Sequence, residues 1–305
     1  MELPTGFSET RAGGFVIFTR PVYHKMATSI ATQDPETVFA RHAAAGGNGG
    51  VEKAGGPRPL SGRGRVIEVP GSEGETLILK KNRRGGLYGR FMGDLHATDY
   101  EAVSDLFLSE TAWKKGVPVA LVAFVMAAPA GPGRLAKRWR GYCATIKVEG
   151  ARSLMDLLSG PPDPHRRRSA LSAAGRCIQR AHDRGFFHGD LNLGNILIVE
   201  SGQGEFGGWL IDLPGSLIGG SLRSAPRQKN LMRLYRSAEK WLPPRDAVQR
   251  RGRLRDVVTF LRAYTNDDRA EVRRIMEAAG RYRLSFFFHR LGWMASGRAA
   301  RNDAV

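Results

Sequence analysis

The stretch His188-Gly189-Asp190-Leu191-Asn192-Leu193-Gly194-Asn195, answered at Ile211-Asp212 by a second carboxylate behind a short apolar run, constrains this chain more than any other feature. An Asp followed five positions later by an Asn, and then by a hairpin that leads to another Asp, matches the spacing of the catalytic and metal-binding loops of kinases. The chemistry explains the residue types. Phosphoryl transfer asks little covalent work of a protein, so its loops place one carboxylate near the acceptor hydroxyl and hold Mg²⁺ against the phosphates. Asp190 is the candidate for the first task; Asn195 and Asp212 are the candidates for the second. Turns rich in Asp and Asn also arise for local hydrogen-bonding reasons, but a chance turn does not account for the flanks of this one.

Those flanks follow the order that the helical lobe of a kinase requires. Residues 166 to 184 carry Leu171, Ala174, Ile178 and Ala181 at the 3-4 spacing of an amphipathic helix, and Gly185 ends it. Phe186-Phe187, the loop, and the β-branched run Ile196-Leu197-Ile198-Val199 come next; Gly202 to Gly208 make a turn, and Trp209-Leu210-Ile211 return as the strand that presents Asp212. His182, near the end of the helix, is read as an orienting hydrogen-bonder beneath the loop.

A kinase also needs a phosphate-covering loop, a lysine for the phosphates and a glutamate to hold that lysine. Gly62-Arg63-Gly64, ahead of the alternating Val66-Ile67-Glu68-Val69, offers the flexible turn, although 38 glycines in the chain make that signal weak by itself. Leu77-Ile78-Leu79-Lys80 has the apolar run ending in Lys of the nucleotide-binding strand, so Lys80 is preferred and Lys81 competes with it. Along the helix expected over 100 to 115, Val103, Leu106 and Trp113 share a stripe that includes Glu110, while Asp105 points away. A carboxylate on an inward face needs a cationic partner. Glu110 is therefore paired with Lys80, and Asp105 stays open as the alternative. Two strands are expected over 119 to 128 and 142 to 148. The second leads to a hinge at Val148-Glu149-Gly150 whose backbone would meet adenine.

At these residues the chain resembles the lipopolysaccharide core kinases, the family of Kdo (3-deoxy-D-manno-octulosonic acid) kinase and heptose kinase. Leu79-Lys80-Lys81-Asn82-Arg83-Arg84-Gly85-Gly86-Leu87 is similar to its strand and Arg-Gly-Gly turn, Gly116-Val117-Pro118-Val119 to its Gly-x-Pro-Val segment, and Asn230-Leu231-Met232-Arg233-Leu234-Tyr235-Arg236-Ser237 to its post-catalytic helix. The resemblance covers about residues 60 to 242. It implies ATP-dependent phosphorylation of a sugar hydroxyl on the lipid A–core glycolipid at the cytoplasmic face of the inner membrane. The chain departs from the kinase pattern at Asp212-Leu213-Pro214-Gly215, at Gly189 where protein kinases commonly carry Arg, and in having no Ala-Pro-Glu segment, so a platform for a peptide substrate is not expected.

The charge balance suits an enzyme that meets an anionic surface. Lys+Arg number 47 against 29 Asp+Glu, a formal +18, and such a field attracts nucleic acid or an anionic membrane about equally; no nucleic-acid motif accompanies it, so no nucleic-acid partner is expected. Cys143 and Cys177 lack metal-ligand spacing and read as buried thiols in a reducing compartment. The longest apolar candidate, 117 to 130, is too short to span a bilayer and is interrupted by Pro118 and Pro129. Glu2 and Pro4 sit where a signal peptide would be basic. Two basic regions, Arg223 to Arg255 and the aromatic Arg281 to Trp293, are candidates for peripheral membrane contact.

The expectation is an α+β, bilobal, protein-kinase-like fold. Residues 1–59 form an N-terminal extension and Gly-rich linker, 60–148 an N-lobe of antiparallel sheet plus helix, and 149–305 a mostly helical C-lobe with a basic C-terminal extension. ATP and Mg²⁺ are the expected cofactors. The rivals are a small-molecule or protein kinase of the same fold, a non-catalytic ATP-binding pseudokinase, and a basic nucleic-acid-binding protein.

Overall fold

The computed structural model describes residues 3–44, 66–82, 99–131, 138–160, 163–202, 204–242 and 247–280. Its first half is a six-stranded sheet with helices on both faces. β1 (Ser8–Ala12) and β2 (Phe15–Thr19) form a hairpin, followed by α1 (His24–Gln33) and α2 (Pro35–Ala44). Next come β3 (Val66–Pro70), β4 (Thr76–Lys81), α3 (Asp99–Lys114), β5 (Val122–Pro129) and β6 (Trp139–Ile146). The strand order is β1-β2-β5-β6-β4-β3, and every neighbouring pair is antiparallel.

β5 explains why the sheet is covered on both sides. Residues Val122 to Ala128 are all buried, the pattern of a strand with no solvent face. Ala123, Phe124, Met126 and Ala128 pack with Phe15, Ile17, Tyr23, Ala27 and Phe39, whereas Val122, Val125 and Ala127 pack with Val103 and Leu106 of α3. Residues 8–44 are thus a working layer of the N-lobe: β1 and β2 extend the sheet, and α1 and α2 cover one face. This departs from the expected extension. The reason is physical: β1 reads Ser-Glu-Thr-Arg-Ala and is largely exposed, so its place at a sheet edge leaves almost no apolar signature. Of the expected extension and Gly-rich linker over 1–59, residues 1–2 and 45–59 lie outside the described residues.

The second half is mostly helical, in agreement with the expected α+β, two-lobed architecture. It contains β7 (Arg152–Ser153), α4 (Leu154–Ser159), α5 (Pro164–Asp183), β8 (Phe186–Phe187), β9 (Ile196–Glu200), β10 (Phe206–Leu210), β11 (Leu217–Ile218), α6 (Ser224–Trp241), α7 (Ala247–Tyr264) and a further helix over 269–280. Asp163 caps α5 by accepting the N–H groups of His165 and Arg166, each at 3.0 Å. The predicted stripe Leu171, Ala174, Ile178 and Ala181 is buried. Gly185 stops the helix at φ +77°, and any Cβ there would sit 1.7 Å from the Gly220 carbonyl oxygen. The Arg167 guanidinium forks onto Asp256 at 2.7 to 3.1 Å and binds α5 to α7.

Among the described residues, the halves are joined both along the chain and across it. The chain crosses through 147–151, where Ala151 N–H reaches the Val148 carbonyl (3.3 Å) and Gly150 takes φ +66°. Behind it, Leu210 donates to Pro118 (2.8 Å), Ala120 donates to Leu210 (3.0 Å), and Trp113 at the end of α3 stacks on Trp209 with ring centroids 5.8 Å apart. α3 therefore touches both lobes, which lets it carry a residue into the space between them.

Candidate active site

The loop between β8 and β9 folds around its own polar groups. Asp190 presents its carboxylate, while its backbone carbonyl accepts from Asn192 Nδ2 (3.0 Å) and Asn195 Nδ2 (2.9 Å). Asn192 Nδ2 also approaches Asp190 Oδ2 at 3.2 Å. The His188 ring is buried; its Nδ1 accepts the Asp190 N–H (3.1 Å), so Nε2 carries the proton and donates to the Ile211 carbonyl (3.0 Å). Burial holds its pKa below the ordinary histidine value, against the pull of the Ile211 carbonyl, and a neutral ring is what this pattern requires. His188 thereby ties the loop to the residue that precedes Asp212.

Register brings Asn195 and Asp212 to the same end of the hairpin. Ile196 pairs with Leu210, and one step further the Ile211 N–H donates to the Asn195 carbonyl (3.1 Å). Asp212 then turns out of the strand at φ +61°, one of four non-glycine residues with positive φ among those described. Such a conformation is costly for a residue with a Cβ and persists where its surroundings over-determine it. Gly189 answers another constraint: a Cβ there would lie 2.4 Å from the Gly215 backbone. The arginine that protein kinases carry at this place has no room here.

A buried polar strut supports the loop from below. Asn230 of α6 accepts the His188 N–H (3.0 Å) and donates to the His188 carbonyl (2.8 Å). Its Oδ1 also accepts from His182 Nε2 (3.2 Å), and His182 Nδ1 in turn accepts from the Tyr264 hydroxyl (2.8 Å). Burial pushes the His182 pKa down to about 4, so the ring is neutral and each of its nitrogens has one role. The expected structural part for His182 is the one it plays. In the sequence Asn230 is legible only as part of a helix signature; nothing there indicates that its amide holds both backbone groups of a residue 42 positions away.

Across the cleft, Lys80 Nζ lies 2.9 Å from Asp212 Oδ1. Burial would lower the Lys80 pKa, but the carboxylates around it, Asp212 foremost, raise it above the ordinary lysine value. Lys81 falls on the opposite face of β4 and pairs with Glu36 of α2 at 2.8 Å, so of the two lysines it is Lys80 that meets Asp212.

The expected Lys80–Glu110 pair is corrected by the structure. Glu110 is buried against Arg20, whose guanidinium also donates to the Val122 carbonyl (3.3 Å). The α3 carboxylate beside Lys80 is Asp105, which is 7% exposed. Burial pushes its pKa up to about 6, with Lys80 opposing the shift and Asp212 adding to it. A single buried stripe does not describe α3, which is wedged between sheet and C-lobe and buries residues through a wide arc, including Asp105, Ser109 and Ala112, while Trp113, expected on the inward face, is 44% exposed. The partner of Glu110 comes from the segment before residue 60, where no partner had been sought.

Val66 pairs with Lys80, so β3 begins beside Lys80; Gly62, Arg63 and Gly64 themselves lie outside the described residues, as do Arg83 to Leu87 and Arg281 to Trp293. Val148 and Glu149 stand at the crossing between the lobes. Cys143 and Cys177 are buried free thiols, as expected.

Comparison with known proteins bears on this arrangement. The model of the lipopolysaccharide kinase (Kdo/WaaP) family matches residues 61–264. A 3-deoxy-D-manno-octulosonic acid kinase of Stenotrophomonas maltophilia is 32% identical over 219 residues, spanning 68% of this chain and 78% of that protein. One from Haemophilus influenzae is 29% identical over 171 residues, or 55% and 67% of the two chains. Among solved structures, "WaaP in complex with acyl carrier protein" aligns with a TM-score of 0.47 and 19% identity, covering 87% of this chain and 98% of that one.

Proposed function

The chain belongs to the lipopolysaccharide kinase (Kdo/WaaP) family and is a phosphotransferase; from that premise we propose that it transfers the γ-phosphate of ATP to a sugar hydroxyl of the lipopolysaccharide inner core, a Kdo or heptose unit, at the cytoplasmic face of the inner membrane. One arrangement carries the reading. Asp190 and Asp212 are presented by a loop and a hairpin that share the Asn195–Ile211 backbone bond, and Lys80 reaches Asp212 from the other lobe.

In this reading Asp190 receives the acceptor hydroxyl, orients it and takes its proton as the bond to phosphorus forms. Lys80 leaves Asp212 for the phosphate oxygens of ATP, and Asp105 remains beside it as counter-charge. The donor set fits Mg²⁺, a hard cation that prefers oxygen: Asp212 offers a carboxylate, and Asn195, whose Nδ2 is committed to the Asp190 carbonyl, offers its Oδ1. When bound, the metal neutralises charge on the phosphate oxygens. Val148 and Glu149 supply backbone groups for adenine, and Gly62, Arg63 and Gly64 cover the phosphates.

The lipid end of the acceptor calls for peripheral contact with an anionic surface. No described helix is long and apolar enough to cross a membrane. Arg251 and Arg255 of α7 are exposed and belong to the proposed contact, whereas Arg253 pairs with Glu239 (3.4 Å) and Arg227 with Asp183 (2.8 Å), so both serve the fold. Mass spectrometry of the lipopolysaccharide core from a deletion strain tests the assignment: loss of one phosphate is expected, and an unchanged core would move the activity to another acceptor.

A further inference from the structure

The loop that displays Asp190 contains no lysine or arginine from His188 to Asn195, so any positive charge at its acceptor side must come from elsewhere in the fold. α6 supplies it. Two residues of this helix grip the loop at its ends: Asn230 holds both backbone groups of His188, and Ser237 Oγ accepts the Leu193 N–H (3.2 Å). Arg233 lies between them on the same stripe, since positions 3 and 7 after Asn230 fall within about 60° of it around the helix axis. At about 1.5 Å of rise per residue, its Cα sits roughly 4.5 Å from that of Asn230 and 6 Å from that of Ser237 along the axis. That places Arg233 against the middle of the gripped segment, where Asp190 is.

The side chain is half-buried, and among the described residues no carboxylate forms an ion pair with it. Its charge reaches His188, where it adds to the effect of burial in keeping the ring neutral. One turn earlier, Lys229 projects over the Phe187 ring at 5.8 Å and extends the positive edge along β8. Nearly every other half-buried arginine whose contacts are described here is committed: Arg167 to Asp256, Arg227 to Asp183, Arg253 to Glu239. A guanidinium held beside the Asp190 loop with no counter-ion among the described residues suits an anionic group arriving with a ligand. Lys80, Asp105 and Asp212 gather on the nucleotide side, which leaves the acceptor as the source of that group.

The geometry points to Arg233 as the residue that binds an anionic substituent, a carboxylate or phosphate, on the sugar whose hydroxyl Asp190 receives. This rests on the inner-core acceptor proposed above and deepens it: the preferred sugar is an acidic one, and Arg233 selects it.

The test uses the full chain with Mg·ATP and two acceptors, a lipid A precursor bearing Kdo and the same molecule with the Kdo carboxylate converted to its methyl ester. Arg233→Gln is expected to raise the acceptor KM about tenfold, the scale of one lost charge-assisted hydrogen bond, with the KM for ATP unchanged. Wild type should lose a similar factor on passing from acid to ester, the variant should lose nothing further, and Arg233→Lys should recover part of the effect. An Arg233→Gln protein that keeps wild-type preference for the acid overturns the assignment; so does a rise in the KM for ATP alone, which would put Arg233 on the nucleotide. If wild type hydrolyses ATP yet phosphorylates neither acceptor, the acceptor reading itself falls and takes this assignment with it. Unchanged thermal melting of Arg233→Gln separates any of these from misfolding.

Discussion

Asp190 is the proposed acceptor of the hydroxyl proton, and its surroundings say what its loss should do. Its backbone carbonyl and Oδ2 are held by Asn192 and Asn195, so Asp190→Asn keeps the loop's shape while removing the proton acceptor. Turnover should fall by about 10² to 10⁴, with nucleotide affinity close to wild type because Lys80, Asn195 and Asp212 are untouched. Single-turnover rates and nucleotide titration on the purified variant measure both; near-normal turnover would discharge Asp190 from this role. The two α3 carboxylates make a paired prediction at the same scale. Asp105→Asn removes the counter-charge beside Lys80 and should raise the KM for ATP several-fold. Glu110→Gln leaves Arg20 without its buried partner and should instead cost about 3 kcal/mol of stability with a smaller change in that KM. Comparing melting curves and ATP kinetics for the two variants distinguishes the assignments, and the reverse pattern would restore Glu110 as the partner of Lys80.

Among elements, the link from α7 through α5 and α6 to the catalytic loop is the least replaceable, because Tyr264, His182, Asn230 and the His188 backbone form one chain of hydrogen bonds. Its pH dependence has a definite sign. His182 has a folded pKa of about 4, below the ordinary 6.5, so the unfolded chain binds the proton more readily between those values. The stability due to its burial is complete above about pH 6.5 and is lost as pH falls through 4, on the order of 3 kcal/mol in all. Asp105, raised to about 6, contributes the opposite slope, so the measurement is a difference: urea melts of wild type and His182→Gln at pH 7, 6 and 5. The gap between the two proteins should narrow as the pH drops, and a constant gap would mean that His182 does not titrate across this range.

At the scale of the whole molecule, the layer formed by β1, β2, α1 and α2 gives the N-lobe its second cover. It reaches the proposed site through ion pairs, Arg20 to Glu110 on α3 and Glu36 to Lys81 beside Lys80. The exposed Arg251 and Arg255 lie on α7, in the helical half. Replacing the exposed Arg251 and Arg255 with Gln should weaken binding to vesicles rich in anionic phospholipid while leaving slow ATP hydrolysis in solution unchanged. Because each basic residue near such a surface contributes about 1 kcal/mol, the loss should approach tenfold or more at low salt and shrink toward 1 M, where the Debye length is about 3 Å. Equal vesicle binding by both proteins would show that these arginines only solvate α7.

Local chemistry alone determined the catalytic loop, the hairpin to Asp212, the α5 stripe with its Gly185 stop, and the Lys80 strand. Each rests on residues a few positions apart whose spacing follows from a turn, a strand period or a helix period. Even the departures at Gly189 and Leu213-Pro214 could be read off the chain, although the reason for the first, the Gly215 backbone 2.4 Å from any Cβ, could not. What tertiary structure decided are the partnerships between distant segments. Arg20 claims Glu110 from 90 positions away, and Asn230 holds His188 from 42. Asp105 becomes the buried carboxylate because α3 is enclosed by two lobes at once. A helical-wheel argument assumes one buried face; a helix wedged between sheet and C-lobe has two, and only the packing of the whole chain shows which carboxylate meets the lysine.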